Sequence, residues 1–184
     1  MQKQAEMDIP SNLETERLLL TRPQREEDEG LSGLWRDERV RRYLGGVVIE
    51  EVITKKLEWQ QAHWNQAGFG QWTVYEKATK RIAGLCGLHY SQEGIELSYD
   101  FYPAFWGRGI ATEAARVCLA HGFEKLGIEH VLVITQEANG ASCRLAEKLG
   151  MRKADRRWKW EAWQSVYEIT SKEWPIEQKG TFTS

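Results

Sequence analysis

Residues Tyr99 to Ala115, YDFYPAFWGRGIATEAA, decide how the chain is read. The stretch predicts a strand, a proline-marked turn, a glycine-rich loop and then a helix. Gly107 and Gly109 flank Arg108, and helix-compatible residues follow at once from Ile110 to Ala114. Such a loop leaves backbone N–H groups unpaired at the positive end of a helix dipole, which suits an anion and above all a phosphate. Glycine also lets a ligand approach the backbone closely. On these residues alone two readings stand side by side, a phosphate cradle and a tight strand-to-helix turn. The spacing is not that of a Walker loop, which ends in Gly-Lys-Ser/Thr. Nor is it the dinucleotide fingerprint, because Thr112 stands where the third glycine would be.

The 184 residues predict one domain, large enough to bury about 70% of its unfolded surface without staples. Cys86, Cys118 and Cys143 lie far apart with no CxxC or ligand spacing, and the four histidines show no metal spacing, so no metal is expected. An odd cysteine count and an opening MQKQAEMDIPSN without an apolar core predict a cytoplasmic protein. No apolar run reaches the ~18 residues of a spanning helix, so no membrane partner is expected. A net charge of −2 argues against nucleic acid as a partner. Residues 1–12 read as a disordered segment, 13–176 as the domain and 177–184 as a tail.

Hydrophobic periodicity and turn signals divide the domain further. A first strand covers Glu16–Arg22, closed by Pro23. A helix follows over Arg25–Arg36, a short one capped by Asp37, and a longer one over Glu50–Ala67. Gln71–Glu76 and Arg81–Tyr90 read as a hairpin around Lys77–Lys80. Ile95–Phe101 is the strand that feeds the glycine loop. Ala111–Leu126 is an amphipathic helix with Ala115, Cys118, Leu119 and Gly122 on one stripe. His130–Thr135, with its Val-Leu-Val-Ile run, reads as a strand covered on both faces. Asn139–Leu149 is a helix, and Arg156–Trp160 with Ser165–Thr170 a final hairpin. This order predicts an α/β layered domain.

Several of these segments together resemble the GNAT superfamily of N-acetyltransferases. Trp106 to Ala111, WGRGIA, is similar to the family's pyrophosphate loop, Gln/Arg-x-x-Gly-x-Gly/Ala. Gly109 and Ala111 fill its last two fixed positions, and Trp106 stands where Gln or Arg is usual. Phe105–Ala114 looks like the form found in the ribosomal-protein-alanine N-acetyltransferase branch. Thr15–Leu20 is similar to that branch's opening strand, and Gln71–Val74, Ile82–Gly84 and Gly87–His89 to its central hairpin. Asn139–Ser142 and Glu147–Met151 are similar to its Asn-x-x-Ser and Glu-Lys-Leu-Gly-Phe/Met block. The resemblance spans about Thr15 to Trp174. It implies a mixed, mostly antiparallel seven-stranded sheet with helices on both faces, splayed between the family's strands four and five, here Ile95–Phe101 and His130–Thr135.

The resemblance also implies a reaction, the transfer of an acetyl group from acetyl-CoA to a primary amine. The pyrophosphate is expected on the amides of Gly107, Arg108, Gly109, Ile110, Ala111 and Thr112. The cofactor arm is expected against backbone of Phe101 and Tyr102, with Asn139 both capping its helix and holding the arm. Glu96 is the candidate base, against the alternative of a strand residue that faces solvent or pairs with a cation. Ala146 occupies the position where many members carry an acidic tyrosine. Ser142 is the candidate donor to the departing sulfur, or else a first-turn helix serine. Arg108 reads equally as a phosphate contact and as a solvated charge. The stretch Arg36–Tyr43 reads as an attractor of acidic substrates or a charged helix face. The Trp158–Trp160–Trp163 group reads as acceptor wall, dimer contact or, first of all, core. The expected acceptor is a protein N-terminus, because α-amines with pKa ~7.7–8.0 ask less of a base than lysine. The rivals are a small amine and a non-catalytic acyl-CoA module. The expected assembly is a monomer or homodimer.

Overall fold

A computed structural model describes residues 12–175. The expected N-terminal segment and C-terminal tail lie outside the described residues, apart from Asn12, which opens the first strand. Strands β1 (Asn12–Glu14) and β2 (Leu18–Thr21) pair antiparallel, and β2 buries Leu18 and Leu20 completely. A 3-10 turn at Arg25–Glu27 leads into α1 (Asp28–Arg36). Next comes the short α2 (Glu38–Arg41), whose Arg39 N–H donates to the Asp37 carboxylate at 2.9 Å. Helix α3 (Glu50–Ala67) returns the chain to the central hairpin of β3 (Gln71–Glu76) and β4 (Arg81–Ser91). Then follow β5 (Gly94–Phe101), α4 (Ile110–Glu124), β6 (His130–Gln136) and α5 (Gly140–Lys148). The hairpin of β7 (Arg152–Lys159) and β8 (Ala162–Thr170) closes the chain.

The strands form one sheet of eight in the order β1-β2-β3-β4-β5-β6-β8-β7. The expected mixed, mostly antiparallel sheet is therefore present with one strand more than the seven anticipated. The addition is β1, a three-residue edge strand too short to carry a period-two signal. Every neighbouring pair is antiparallel except β5 and β6, which run parallel and share one register point, Glu96 opposite Leu132. Beyond it the strands splay, as anticipated.

Each face of the sheet carries a helical layer. Helices α4 and α5 cover the larger core, where Leu88, Leu97, Leu119, Val131 and Leu145 meet. Helix α4 comes so close to β4 that a Cβ on Gly122 would sit 2.4 Å from a Leu88 methyl. The opposite face packs Leu85 against Leu31, Leu34, Trp35 and Ile53 from α1 and α3. The pleat of β5 distributes its side chains accordingly. Leu97, Tyr99 and Phe101 look toward α4, while Glu96, Ser98 and Asp100 look toward α1 and α3. Among the described residues no helix is long and apolar enough to cross a membrane.

Tyr102 fastens α1 to the end of β5. Its hydroxyl donates to the Gly30 carbonyl, and the close approach explains Gly33, where a Cβ would collide with that hydroxyl. Losing a half-buried hydrogen bond of this kind costs about 1 kcal/mol. Tyr102→Phe is therefore expected to lower the unfolding free energy by about 1 kcal/mol at an unchanged denaturant slope, measured in urea. A variant as stable as the parent would show that packing alone holds α1.

Candidate functional site

The splay between β5 and β6 opens into a cavity of about 930 Å³. Its lining runs from Trp106, Ala111, Asn139 and Ser142 at one end to side chains of α2 and α3 at the other, with Glu96 between. One cavity thus joins the glycine loop's end of the sheet to the α2–α3 face.

The glycine loop ends on two residues of positive φ, Gly107 at 70° and Gly109 at 77°. Side chains other than glycine rarely adopt that backbone, which accounts for the G-x-G. Gly109 is the N-cap of α4 and supplies no side-chain acceptor. Among the described residues, the backbone N–H groups of Gly107 through Thr112 have no hydrogen-bond partner. The loop is nonetheless fixed from behind. Arg17 donates to the Arg108 carbonyl at 2.9 Å and pairs with Glu113, which also accepts from the Thr15 hydroxyl. Arg17 thereby balances the one acid in the first turn of α4. The Arg108 guanidinium turns away from the loop to pair with Glu76. Of its two readings, neither free solvated charge nor side-chain phosphate contact describes this arrangement.

The two strand-end residues divide. Phe101 lies opposite Gly84 in a non-hydrogen-bonded pair, so its N–H faces the gap, while its carbonyl accepts the Trp106 indole N–H at 2.7 Å. Tyr102 is not available in the expected way. Its N–H donates to the Ala83 carbonyl and its carbonyl accepts from Phe105 N–H, both at 2.9 Å. The antiparallel ladder and the 3-10 turn at Pro103–Phe105 consume both groups.

Asn139 caps α5, its Oδ1 accepting from Ser142 N–H at 3.2 Å. The Ser142 hydroxyl lies 2.8 Å from the Tyr99 hydroxyl, which reaches it from β5. Tyr99 is a residue the sequence reading passed over. The available signal was the pleat, which turns Tyr99 toward α5 where Ala146 offers nothing. Burial pushes its pKa up, so the phenol stays protonated.

Glu96 sits at the fork itself, between His89 on β4 and Leu132 on β6. Burial pushes its pKa up to about 7. Glu93 adds to the rise, while Lys159 and the Ile134 N–H oppose it. Neither alternative in the sequence reading holds fully, because the carboxylate is partly buried and makes no ion pair among the described residues.

The remaining candidates fall elsewhere. Trp158 and Trp160 are 61% and 68% exposed and absent from the cavity wall, so core packing is overturned. Trp160 occupies the hairpin turn at φ 53°, beyond the end of β7 that carries Trp158. Cys86 and Cys118 are buried in the core. Among the described residues no group of three His, Cys, Asp or Glu is arranged to hold a metal.

A carboxyl whose folded pKa exceeds its unfolded one is bound to its proton more tightly in the native state. It therefore weakens the fold as pH rises from the ordinary value of ~4.3 through about 7. Glu96→Gln is expected to match the parent near pH 4 and to exceed its stability by about 3–4 kcal/mol at pH 8, read from urea unfolding at both pH values. A gap independent of pH would refute the raised pKa.

Comparison with known proteins agrees with this geometry. The family model described as acetyltransferase (GNAT) domain matches residues 17–152. YkkB of Bacillus subtilis (strain 168) is 31% identical over 170 residues, covering 90% of this chain and 99% of its own. YoaA of the same organism, named an uncharacterized N-acetyltransferase, is 27% identical over 147 residues, covering 77% and 82%. The crystal structure of a GNAT-family acetyltransferase from Bacillus anthracis superposes with a TM-score of 0.74 at 25% identity, over 88% of this chain and 99% of that one. None of these singles out the ribosomal-protein-alanine branch. The family match over most of the sequence and the forked sheet agree, and the chain belongs to the GNAT family of acetyltransferases.

Proposed function

We propose that the protein transfers the acetyl group of acetyl-CoA to a primary amine by direct attack of the amine on the thioester. The observation that carries this reading is the single cavity that joins the glycine loop's end of the sheet to a carboxyl group titrating near neutrality. The unpartnered amides of Gly107 to Thr112, at the N-terminus of α4, would hold the pyrophosphate. Hydrogen bonds to a charged acceptor contribute ~1.5–3 kcal/mol each, so several backbone donors suffice without the Arg108 side chain. The Phe101 N–H and the Asn139 side chain would align the arm, the former as an added strand does.

In the reaction the amine nitrogen bonds to the thioester carbon and loses a proton to Glu96, directly or through water. A base is most effective with a pKa near the working pH, which is where burial sets Glu96. The C–S bond then breaks and sulfur keeps the electron pair. Ser142, backed by Tyr99, would hydrogen-bond to the departing thiolate. A full proton donor is unnecessary, since a free thiol has pKa only ~8.5.

We favour a protein N-terminus as acceptor, because at the pH where Glu96 is ionised a far larger fraction of an α-amine, with pKa ~7.7–8.0, is deprotonated than of a lysine at ~10.4. A small amine is the second reading, favoured by the wall that α2 and α3 raise over the acceptor side.

Glu96→Gln is expected to lower kcat about 10²–10⁴-fold in a thiol-release assay while acetyl-CoA binding by calorimetry is retained. Unchanged turnover would remove Glu96 as base, and absence of turnover in the parent with every amine would favour a binding module. Tyr99→Phe and Ser142→Ala are each expected to slow transfer from acetyl-CoA about 10-fold or more. They should leave transfer from an acetyl ester of an acidic phenol, whose leaving group needs no donor, much less affected. Equal losses with both donors would mark the pair as structural.

A further inference from the structure

The acceptor side of the cavity carries more positive than negative charge. Helix α2 and the residue after it contribute Arg39, Arg41 and Arg42, and α3 contributes Lys55 and Lys56. The carboxylates that line the same cavity are Glu96 and Asp100. Three of the five cations are engaged locally. Arg39 pairs with Asp37 at 2.7 Å and Lys55 with Glu51 at 2.6 Å, while Arg41 donates to the carbonyls of Gly46 and Leu44. Arg42 and Lys56 differ. Among the described residues neither has a carboxylate within ion-pair distance. Each lies against an aromatic ring instead, Arg42 at 5.4 Å from the centre of Tyr43 and Lys56 at 5.6 Å from that of Trp35.

Lys56 is the more telling of the two. It shares a half-buried corner with Arg41, which is buried, and Asp100, so two cations face one acid. Burial and the nearby Arg41 push the Lys56 pKa down, and Asp100 opposes the fall. Charges removed from water are costly unless balanced, and here the balance is incomplete by one negative charge. The corner belongs to the cavity that reaches Glu96. Asp100 follows Glu96 by four residues on the same face of β5, a distance of ~13 Å.

We propose that the acceptor is an amine that also carries an anionic group, a carboxylate or a phosphate, seated between Lys56 and Arg42 while the amine lies at Glu96. The inference rests on the acetyl-transfer reading and narrows its acceptor. The separation along β5 places the anion several bonds from the attacking nitrogen rather than on its neighbouring carbon. It also disfavours polyamines, whose second ammonium would meet the same cations.

The test is a thiol-release assay with the full chain, acetyl-CoA and amidated dipeptides that differ in one side chain. Ala-Glu, Ala-phosphoserine, Ala-Gln and Ala-Lys are compared, with spermidine alongside. The acidic members are expected to exceed Ala-Gln in kcat/KM at least 10-fold and Ala-Lys by more. The faster of the two acidic members identifies carboxylate or phosphate as the group held. Lys56→Met and, at the rim, Arg42→Gln should each bring the Glu/Gln ratio toward one through KM, and Lys56→Arg should preserve it. Equal or greater turnover of Ala-Gln, Ala-Lys or spermidine would overturn the inference while leaving acetyl transfer intact. A ratio unchanged in both variants would overturn the assignment of Lys56 and Arg42. Absence of thiol release from every amine, in protein that still binds acetyl-CoA, would remove acetyl transfer itself and this inference with it.

Discussion

The parallel contact between β5 and β6 is made at one register point, and the rest of the site depends on that economy. A full parallel ladder would have consumed the inward backbone groups of both strands. Here β5 is held on its other side by an eight-residue antiparallel register with β4, and β6 by a seven-residue register with β8. The fork is therefore rigid on both flanks although it is open in the middle. Helices α4 and α5 follow β5 and β6, so both helix N-termini open toward the same end of the gap. Open α/β sheets commonly bind ligands just outside the carboxyl ends of their strands, where topology changes direction.

Glu96 occupies the apex of that fork, and its setting works against stability. The ordinary remedy for a buried carboxylate is a cation within hydrogen-bonding reach. Lys159, whose charge acts on Glu96, is directed elsewhere, as is Arg157 on the same strand. Arg157 pairs with Glu93 at 2.7 Å, and Lys159 reaches the same carboxylate at 3.5 Å. Glu93 in turn adds negative charge near Glu96 and helps to raise its pKa. A fold selected for stability alone would pair Glu96 or replace it. An unpaired carboxyl poised near neutrality in a cavity wall is the arrangement expected of a proton acceptor.

Much of this was legible in the sequence, and the failures have local causes. The long elements were recovered because their periodicity and caps agree. Helix α3 matches its expected bounds, and Asn139 caps α5 as its position before Gly140 suggests. The short strand β1 was missed because three residues carry no pattern. Trp158 and Trp163 were misplaced because tryptophan normally signals burial. On this hairpin the rings pack edge to face at 5.5 Å, and Arg156 covers Trp163 at 3.9 Å. Tyr99 was overlooked for a different reason. Its partner Ser142 lies 43 residues away, and only the crossing of β5 under α5 brings them together. Tyr102 illustrates the same limit, since adjacency to Phe101 suggested a shared role that the alternation of backbone hydrogen bonding denies.

The departure at Trp106 now has a physical account. The family's pattern favours a long polar side chain at this position, and an indole cannot imitate one. Trp106 instead ties the loop to the strand that precedes it, its N–H closing on the Phe101 carbonyl while the ring remains half exposed. That bond saturates the gap-facing carbonyl of Phe101 and leaves the neighbouring N–H as the free group. From the other side, Arg17 holds the Arg108 carbonyl and Glu76 holds the Arg108 side chain. The loop is thus fixed through carbonyls and side chains, while its amides from Gly107 to Thr112 have no partner among the described residues. Preorganised donors of this kind need little reorganisation to receive an anion, which is why a substitution at one side-chain position need not weaken a grip made by the backbone.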